Sequence, residues 1–337
     1  MNKILGFRQY LNSQHSFSDL NKIIKERDAY LPSDDGFLTI IALCGKNPRD
    51  FLERNNLLDR VAFYDFAPWE ESARRVAEVY TKSQYKPDRV QLIHYHEQPL
   101  GLTYPLELLV QISNILKMDH LAVSDSDFQL NYSTIRKVFD FHVSVAQSDE
   151  RVITYPRREF RSLDLKKYPI NRRAMEDLEN VYIYMLSDLK ILDSKPDFQS
   201  GLSVTTRAAN QILNFTNVGS WIGNLHMAIQ VIRSNGRLEK DFVVPTNQQH
   251  ESSINFDIQC AKIDQLYRYY MIPFSNIVHL ALDHPDRYLM EDWTKGLTDS
   301  QIAQTIYQIE EMNNQYLQKR RKEKDQEADD SHSLSNG

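Results

Sequence analysis

Cysteine is nearly absent: Cys44 and Cys260 are the only two among 337 residues. Two thiols so far apart make neither a disulfide framework nor a cysteine-rich zinc site. Glycine is scarce too, ten residues in all, under half the usual share of about 7 %. Neither G-x-G-x-x-G nor G-x-x-x-x-G-K-[ST] occurs. That argues against a Rossmann dehydrogenase or a P-loop enzyme, both of which cradle phosphates on such loops. No apolar run approaches the roughly 20 residues needed to cross a bilayer. The opening Met1-Asn2-Lys3-Ile4-Leu5-Gly6-Phe7-Arg8 lacks the apolar core of a secretory signal. A formal net charge of -6 argues against general nucleic-acid binding. These absences describe a soluble, cytoplasmic chain, with room left for peripheral contact with a membrane.

What is present is alternation. A helical lead-in is expected over residues 1–36, with Leu20, Ile23 and Ile24 on one face and a break at Pro32–Gly36. Residues 37–255 then switch repeatedly between strand and helix patterns. Phe37–Leu43, Arg60–Asp65, Val90–Tyr95, Leu121–Ser124 and Val152–Tyr155 read as strands, as does His142–Ala146. Helices are expected over Ser72–Tyr85, Pro105–Lys117, Tyr132–Phe141, Val204–Phe215 and Trp221–Arg233, and a short strand over Phe242–Pro245. This alternation predicts an α/β fold with a doubly wound, mostly parallel sheet flanked by helices. Residues 256–320 form a helical extension, with Ile302, Ile306, Ile309, Met312 and Tyr316 on one face. Lys319-Arg320-Arg321-Lys322 follows, and residues 321–337 are expected to be a disordered, charged tail.

The residues that carry chemistry lie at one strand end. Met118–Leu130 runs apolar through His120-Leu121-Ala122-Val123 and stops on Asp125 and Asp127. In extended chain, residues two apart point the same way. Both carboxylates can therefore reach one hard cation, and Gln129 adds a neutral oxygen on the same face. Oxygen-only ligands favour Mg²⁺ or Mn²⁺ over zinc. Asp65 also ends a strand, and in doubly wound sheets ligands bind beyond the carboxyl ends. Arg157, Arg158, Arg161, Arg172 and Arg173 form a cluster. Such a run is most often a solvated face, but facing an acidic metal site it could hold phosphates. His94, His96 and His120 read as packed histidines, and Trp69, Trp221 and Trp293 as packing side chains. Tyr267, Tyr269 and Tyr270 read as helix packing.

Several short segments, taken in order, resemble the inverting glycosyltransferases of the GT-A fold, in the branch of dolichyl- and polyprenyl-phosphate sugar synthases. Asp125-Ser126-Asp127-Phe128-Gln129 is similar to that branch's D-x-D-x-Q metal motif. Asp197-Phe198-Gln199-Ser200-Gly201-Leu202, followed by Arg207, resembles its D-x-Q-S-G-F segment. Ala228–Pro245 resembles its helix, glycine and E-V-P-V pattern, and His250-Glu251-Ser252-Ser253 sits where the branch has a serine-containing loop. The resemblance spans roughly Phe37 to Ser253.

It implies a metal-dependent transfer of a hexose from a GDP- or UDP-sugar. Asp125, Asp127 and Gln129 would hold Mg²⁺ or Mn²⁺. Asp65, Glu70, Arg157, Arg158, Arg172, Arg173 and Arg207 would bind the donor. Gln199, Ser200, Gly201, Trp221 and His250 would line the acceptor side. Asp197 and Glu251 are the candidate bases for a hydroxyl acceptor. A phosphate monoester, with a second pKa of about 6, would need no base. The chain departs from the pattern at Ala42–Asn47, where a proline and Asn-Glu signature is expected, and at Asp65-Phe66, where paired aspartates are. The glycine-basic segment is only hinted at by Gly101-Leu102-Thr103. The acidic pair before the late helix is replaced by Trp221-Ile222-Gly223-Asn224. Two other readings share the fold: a sugar-phosphate nucleotidyltransferase, and a catalytically inert GT-A-fold binding protein.

Overall fold

The structure is a computed structural model. It describes residues 2–11, 15–31, 37–45, 48–66, 78, 89–95, 101, 103–125, 130–159, 170–187, 197–198, 200–219, 221–245, 256–289 and 291–334. In chain order the main elements are β1 (Lys3–Leu11), α1 (His15–Tyr30), β2 (Phe37–Gly45), α2 (Arg49–Arg54), β3 (Val61–Phe66), β4 (Val90–Tyr95), α3 (Thr103–Ile115), β5 (His120–Asp125), α4 (Tyr132–Val145), β6 (Val152–Thr154) and β7 (Arg157–Glu159). There follow α5 (Ile170–Ser187), β8 (Leu202–Thr206), α6 (Gly223–Arg233), β9 (Arg237–Glu239), β10 (Val243–Pro245), α7 (Phe256–Tyr270), α8 (Phe274–Asp283) and α9 (Asp299–Leu334). The chain divides into two units, Met1–Phe160 with Leu192–Gln249, and Arg161–Ile191 with His250–Gly337.

The first unit is built on an eight-stranded sheet in the order β3-β4-β2-β1-β5-β8-β6-β9. Strands β3, β4, β2, β1 and β5 are mutually parallel, and β8 runs antiparallel between β5 and β6. The mixed α/β, mostly parallel sheet expected from the alternation is present. Period-2 alternation decides which helix covers which face. Leu5 and Phe7 of β1 join Leu20, Ile23 and Ile24 of α1 and Tyr132, Ile135, Val138 and Phe139 of α4 in one buried cluster. Full burial of each such aliphatic side chain contributes roughly 1.5–3 kcal/mol. On the other face α3 lies so close that a Cβ on Gly6 would meet Leu109 Cδ1 and Cδ2 at 2.7 Å. A side chain at position 6 would force Leu109 to shift.

Three expectations are corrected here. The lead-in is not helical throughout: Lys3–Leu11 is a strand placed between β2 and β5. Ile4, Leu5 and Phe7 sit among polar residues too short in number to declare a period, and the sheet's two neighbours supply the backbone partners that make the strand. His142–Val145 continues helix α4 rather than starting a strand. Ile135, Val138, Phe139 and His142 are buried at the i, i+3, i+4, i+7 spacing of one helix face. Val204–Thr206 is strand β8, not the start of a helix, as its β-branched residues prefer. The helix expected over Ser72–Tyr85 lies, except for Glu78, outside the described residues.

The second unit is helical. Helix α5 carries Arg172 and Arg173 of the arginine-rich run, and its charges turn inward: Arg173, Glu176, Asp177 and Glu179 are all buried. Arg173 Nη1 donates to Glu176 Oε2 at 3.2 Å, and Trp293 Nε1 donates to Asp177 Oδ2 at 2.7 Å. Lys262 Nζ lies 3.7 Å from Glu179 Oε2. Burial nevertheless pushes the Glu179 carboxyl up to about 7, opposed by the Lys262 ammonium. The tail expected to be disordered from residue 321 continues α9 as helix to Leu334. No helix among the described residues is long and apolar enough to cross a membrane.

Candidate functional site

Chain order sets the place of the site. From β1 the chain moves outward to β2, then to β3 and β4 on that side, and crosses by α3 to β5 on the other side of β1. The direction of winding reverses between β1 and β5, which is where open α/β sheets form a ligand crevice. The register pairs Arg8 of β1 with Asp125, the last residue of β5. Both side chains point to the face that Gly6 and Val123 share.

Arg8 is almost fully buried, at 3 % exposure, whereas the Asp125 side chain is 30 % exposed. Arg8 Nη2 donates to Asp125 Oδ1 at 2.5 Å, and Nη1 donates to Asn224 Oδ1 at 2.8 Å. Its buried Nε has no hydrogen-bond partner among the described residues. Asn224 lies in the first turn of α6, and its carbonyl oxygen accepts from the Tyr155 hydroxyl at 2.7 Å. Burial holds that hydroxyl's pKa well above its ordinary value. Thr103 fixes the approach to α6, donating through Oγ1 to Gly219 O at 2.7 Å and accepting from Gly223 N at 3.1 Å. Gly201 closes the floor: its carbonyl accepts from Asp125 N at 2.8 Å, and its φ is +73°. A Cβ there would sit 3.0 Å from Asp125 Oδ2.

The expected site residues are distributed unevenly around this centre. Asp125 and Gly201 meet at the crevice. Ser200 is buried and donates to Leu202 O at 3.0 Å, which braces the turn into β8. Asp65 lies at the same carboxyl edge, on β3, with His94 Nδ1 2.8 Å from its Oδ1. The intervening strands β4, β2 and β1 put it about 19 Å from β5, at roughly 4.8 Å per strand. Arg157 is partly buried in β7, its backbone N–H donating to Phe242 O at 2.9 Å. Trp221 is partly buried just before α6. Asp127, Gln129, Glu70, Gln199, His250 and Glu251 lie outside the described residues.

Five assignments change. Asp197 is fully buried, and Arg158 grips both of its oxygens, from Nε at 2.7 Å and Nη2 at 2.9 Å. A carboxylate sealed in that pair cannot take a proton from an acceptor, so Asp197 is a structural anion and Arg158 its counter-ion. Arg207 follows β8 at the end that pairs with the start of β5, and its guanidinium is 3.5 Å from Asp119. Five residues of β5 separate Asp119's neighbour from Asp125, about 17 Å of strand, which removes Arg207 from the crevice. Arg173 is spent on Glu176 inside the second unit, and Arg172 Nε also faces Glu176 Oε1, at 3.4 Å.

Arg8 was not singled out by the sequence reading. Its burial, and with it the need for a partner, follows only once β1 is known to lie between β2 and β5. The described residues hold no group of three or more His, Cys, Asp or Glu side chains able to bind a metal. Asp125 fits a divalent cation as a one-oxygen ligand: Oδ1 is engaged by Arg8 and Oδ2 accepts no hydrogen bond from a described residue.

No family model matches the chain, and no curated protein matches it. Solved structures similar in fold include the following two. A mannosyltransferase from Pyrobaculum calidifontis, in complex with GDP-Man and Mn²⁺, aligns at 10 % identity over 91 % of this chain and 73 % of its own, with a TM-score of 0.46. A cytidylyltransferase from Leptospira borgpetersenii aligns at 6 % identity over 85 % of this chain and 95 % of its own, with a TM-score of 0.36. Likeness at that level leaves function to be argued from the chain's own residues.

Proposed function

We propose that the chain is a GT-A glycosyltransferase that moves a hexose from a nucleotide-diphosphate sugar to an acceptor. The observation that supports this most is the placement of Asp125 at the carboxyl end of β5, on the topological switch point, with one oxygen open. Asp125, with Asp127 and Gln129, would hold Mg²⁺ or Mn²⁺. The bound ion would neutralise charge developing on the departing diphosphate. Arg8 orients the Asp125 carboxylate and the Gly201 carbonyl holds its backbone N–H, and Asp65, at the far end of the same edge, would meet the nucleoside part of the donor. Arg157 is the remaining described arginine for the phosphates.

With Asp197 removed as a base, Glu251 is left for a hydroxyl acceptor. A phosphate monoester acceptor needs none, being largely anionic at neutral pH. The inert binding protein is the rival reading, and the Arg8–Asp125 ion pair favours it, since a guanidinium occupies one oxygen that a metal would use. Calorimetric titration of GDP- and UDP-hexoses with and without Mn²⁺, followed by donor turnover, separates the two. Mn²⁺-dependent binding lost in Asp125→Asn, with turnover, supports the transferase. Mn²⁺-independent binding without turnover supports the inert protein, and no binding of any nucleotide sugar sinks both.

A further inference from the structure

Helix α9 is held in the second unit by Ile302, Ile306, Ile309 and Asn313, all buried. Further along the same stripe, at helical spacing, come Leu317, Arg320, Arg321 and Lys324. Together with Asp264, Tyr267 and Arg268 of α7 they line a cavity of about 260 Å³. Four cations there face one carboxylate, in a chain whose net charge is -6. Arg268 Nε lies 2.9 Å from Asp264 Oδ2, and Arg320 Nη1 lies 3.0 Å from Glu323 Oε2. Arg321 and Lys324 have no ion-pair partner among the described residues. Apolar side chains stand beside them in water: Tyr267 is 42 % exposed and Met271 72 %. Met271 ends α7 with φ +58° and donates its N–H to Tyr267 O at 2.7 Å, which puts it one turn from the cavity wall.

A solvated ion-paired helix face needs neither unpaired cations around a cavity nor an exposed methionine at its rim. We propose that this cavity and its rim dock the phosphate headgroups of an anionic lipid surface. Arg321 and Lys324 receive lipid phosphate, while Tyr267 and Met271 enter the boundary between headgroups and acyl chains, where an apolar body with a polar neighbour is favoured. A stripe of basic residues on one helix matches this chemistry. The cavity is smaller than the roughly 300–1,000 Å³ of sites that enclose a drug-sized ligand, so it suits a headgroup rather than a whole nucleotide. The site is independent of the transferase reading, because every residue in it belongs to the helical unit.

Flotation of the full chain with vesicles tests it. The chain is expected to float with phosphatidylcholine vesicles that contain phosphatidylserine, not with phosphatidylcholine alone, and to do so less as salt rises. Arg321→Glu with Lys324→Glu should lower partitioning at least about tenfold. Met271→Ser should lower it with no change of charge, and circular dichroism melts check that both variants fold. The proposal is overturned by any of three results: no flotation with anionic vesicles at low salt, equal partitioning of the wild type and both variants, or tighter binding to a single-stranded oligonucleotide than to the vesicles. Release by inorganic phosphate at matched ionic strength would overturn it as well, since the ligand would then be free phosphate.

Discussion

Arg8 Nη2 and Asp125 Oδ1 are 2.5 Å apart, joining the central strand to a carboxylate that opens on the crevice. The same guanidinium reaches Asn224 on α6, so one buried side chain sets the position of both a strand end and a helix start. Arg8→Met keeps the length and apolar stem but leaves Asn224 and Asp125 without their donor. A loss of about 1–3 kcal/mol is expected in urea unfolding. Arg8→Lys should recover part of that stability and little nucleotide-sugar binding, because a single ammonium cannot span both acceptors. Equal binding by the lysine variant and the wild type would rule out the positioning role.

Asp197 and Arg158 form a deeply buried ion pair at the sheet, with side-chain exposures of 0 % and 2 %. Removing either partner alone leaves a buried charge, at a cost of about 3–5 kcal/mol. Asp197→Asn and Arg158→Met should each show that loss, and the double variant should recover much of it. If Asp197 were the general base, Asp197→Asn would instead abolish turnover with little change in unfolding midpoint. Measuring turnover and midpoint on the same samples decides between them.

Gly201 is constrained twice, by its φ of +73° and by Asp125 Oδ2 standing 3.0 Å from the position of a Cβ. Gly201→Ala should cost about 1–2 kcal/mol from backbone strain alone. It should also displace the carboxylate, weakening Mn²⁺-dependent donor binding beyond what the stability loss explains. Titration at a temperature where the variant is fully folded isolates that second effect.

His120 and His142 sit edge to face with ring centroids 5.2 Å apart, both buried. His142 Nδ1 is 2.7 Å from Thr154 Oγ1, while His142 Nε2 and His120 Nδ1 have no hydrogen-bond partner among the described residues. Burial lowers both pKa values, that of His142 to about 3, with the neighbouring His120 and Arg237 adding to the shift. The unfolded chain binds its protons near pH 6.5 and the folded one only lower, so stability is intact above 6.5 and falls with acid toward about pH 3. For His142 the slope is roughly 1.4 kcal/mol per pH unit within that window. Glu179 acts oppositely: its carboxyl is raised to about 7, so stability falls as pH rises from about 4.5 to 7. Comparing wild type with His142→Gln across that range cancels the Glu179 contribution. A difference that does not change with pH would contradict the buried neutral histidine.

Much of the sheet was legible from local pattern, because apolar runs such as Phe37–Leu43 and Val90–Ile93 are buried on both faces and need little context. The carboxylate at Asp125 was legible for the same reason, since an acid ending an apolar run marks a strand mouth. β1 was not, because a strand with arginine and glutamine in it declares itself only when its neighbours supply hydrogen bonds. The charged helix α5 was misjudged because polarity signals water unless partners fold over it, and Lys262 and Trp293 come from more than 80 residues away.

The sequence by itself determined the class of fold, an alternating α/β chain, and placed an acidic strand end at the mouth of a sheet without a glycine-rich phosphate loop. Only the tertiary structure decided which charges are free to act. Arg158 and Asp197 neutralise each other in the core, Arg207 lies at the opposite end of β5, and Arg8, unremarked in one dimension, stands against Asp125. The reason is physical: an ionisable group's role depends on its distance to a counter-charge and its access to water, and both are set by strand register rather than by neighbours in the chain.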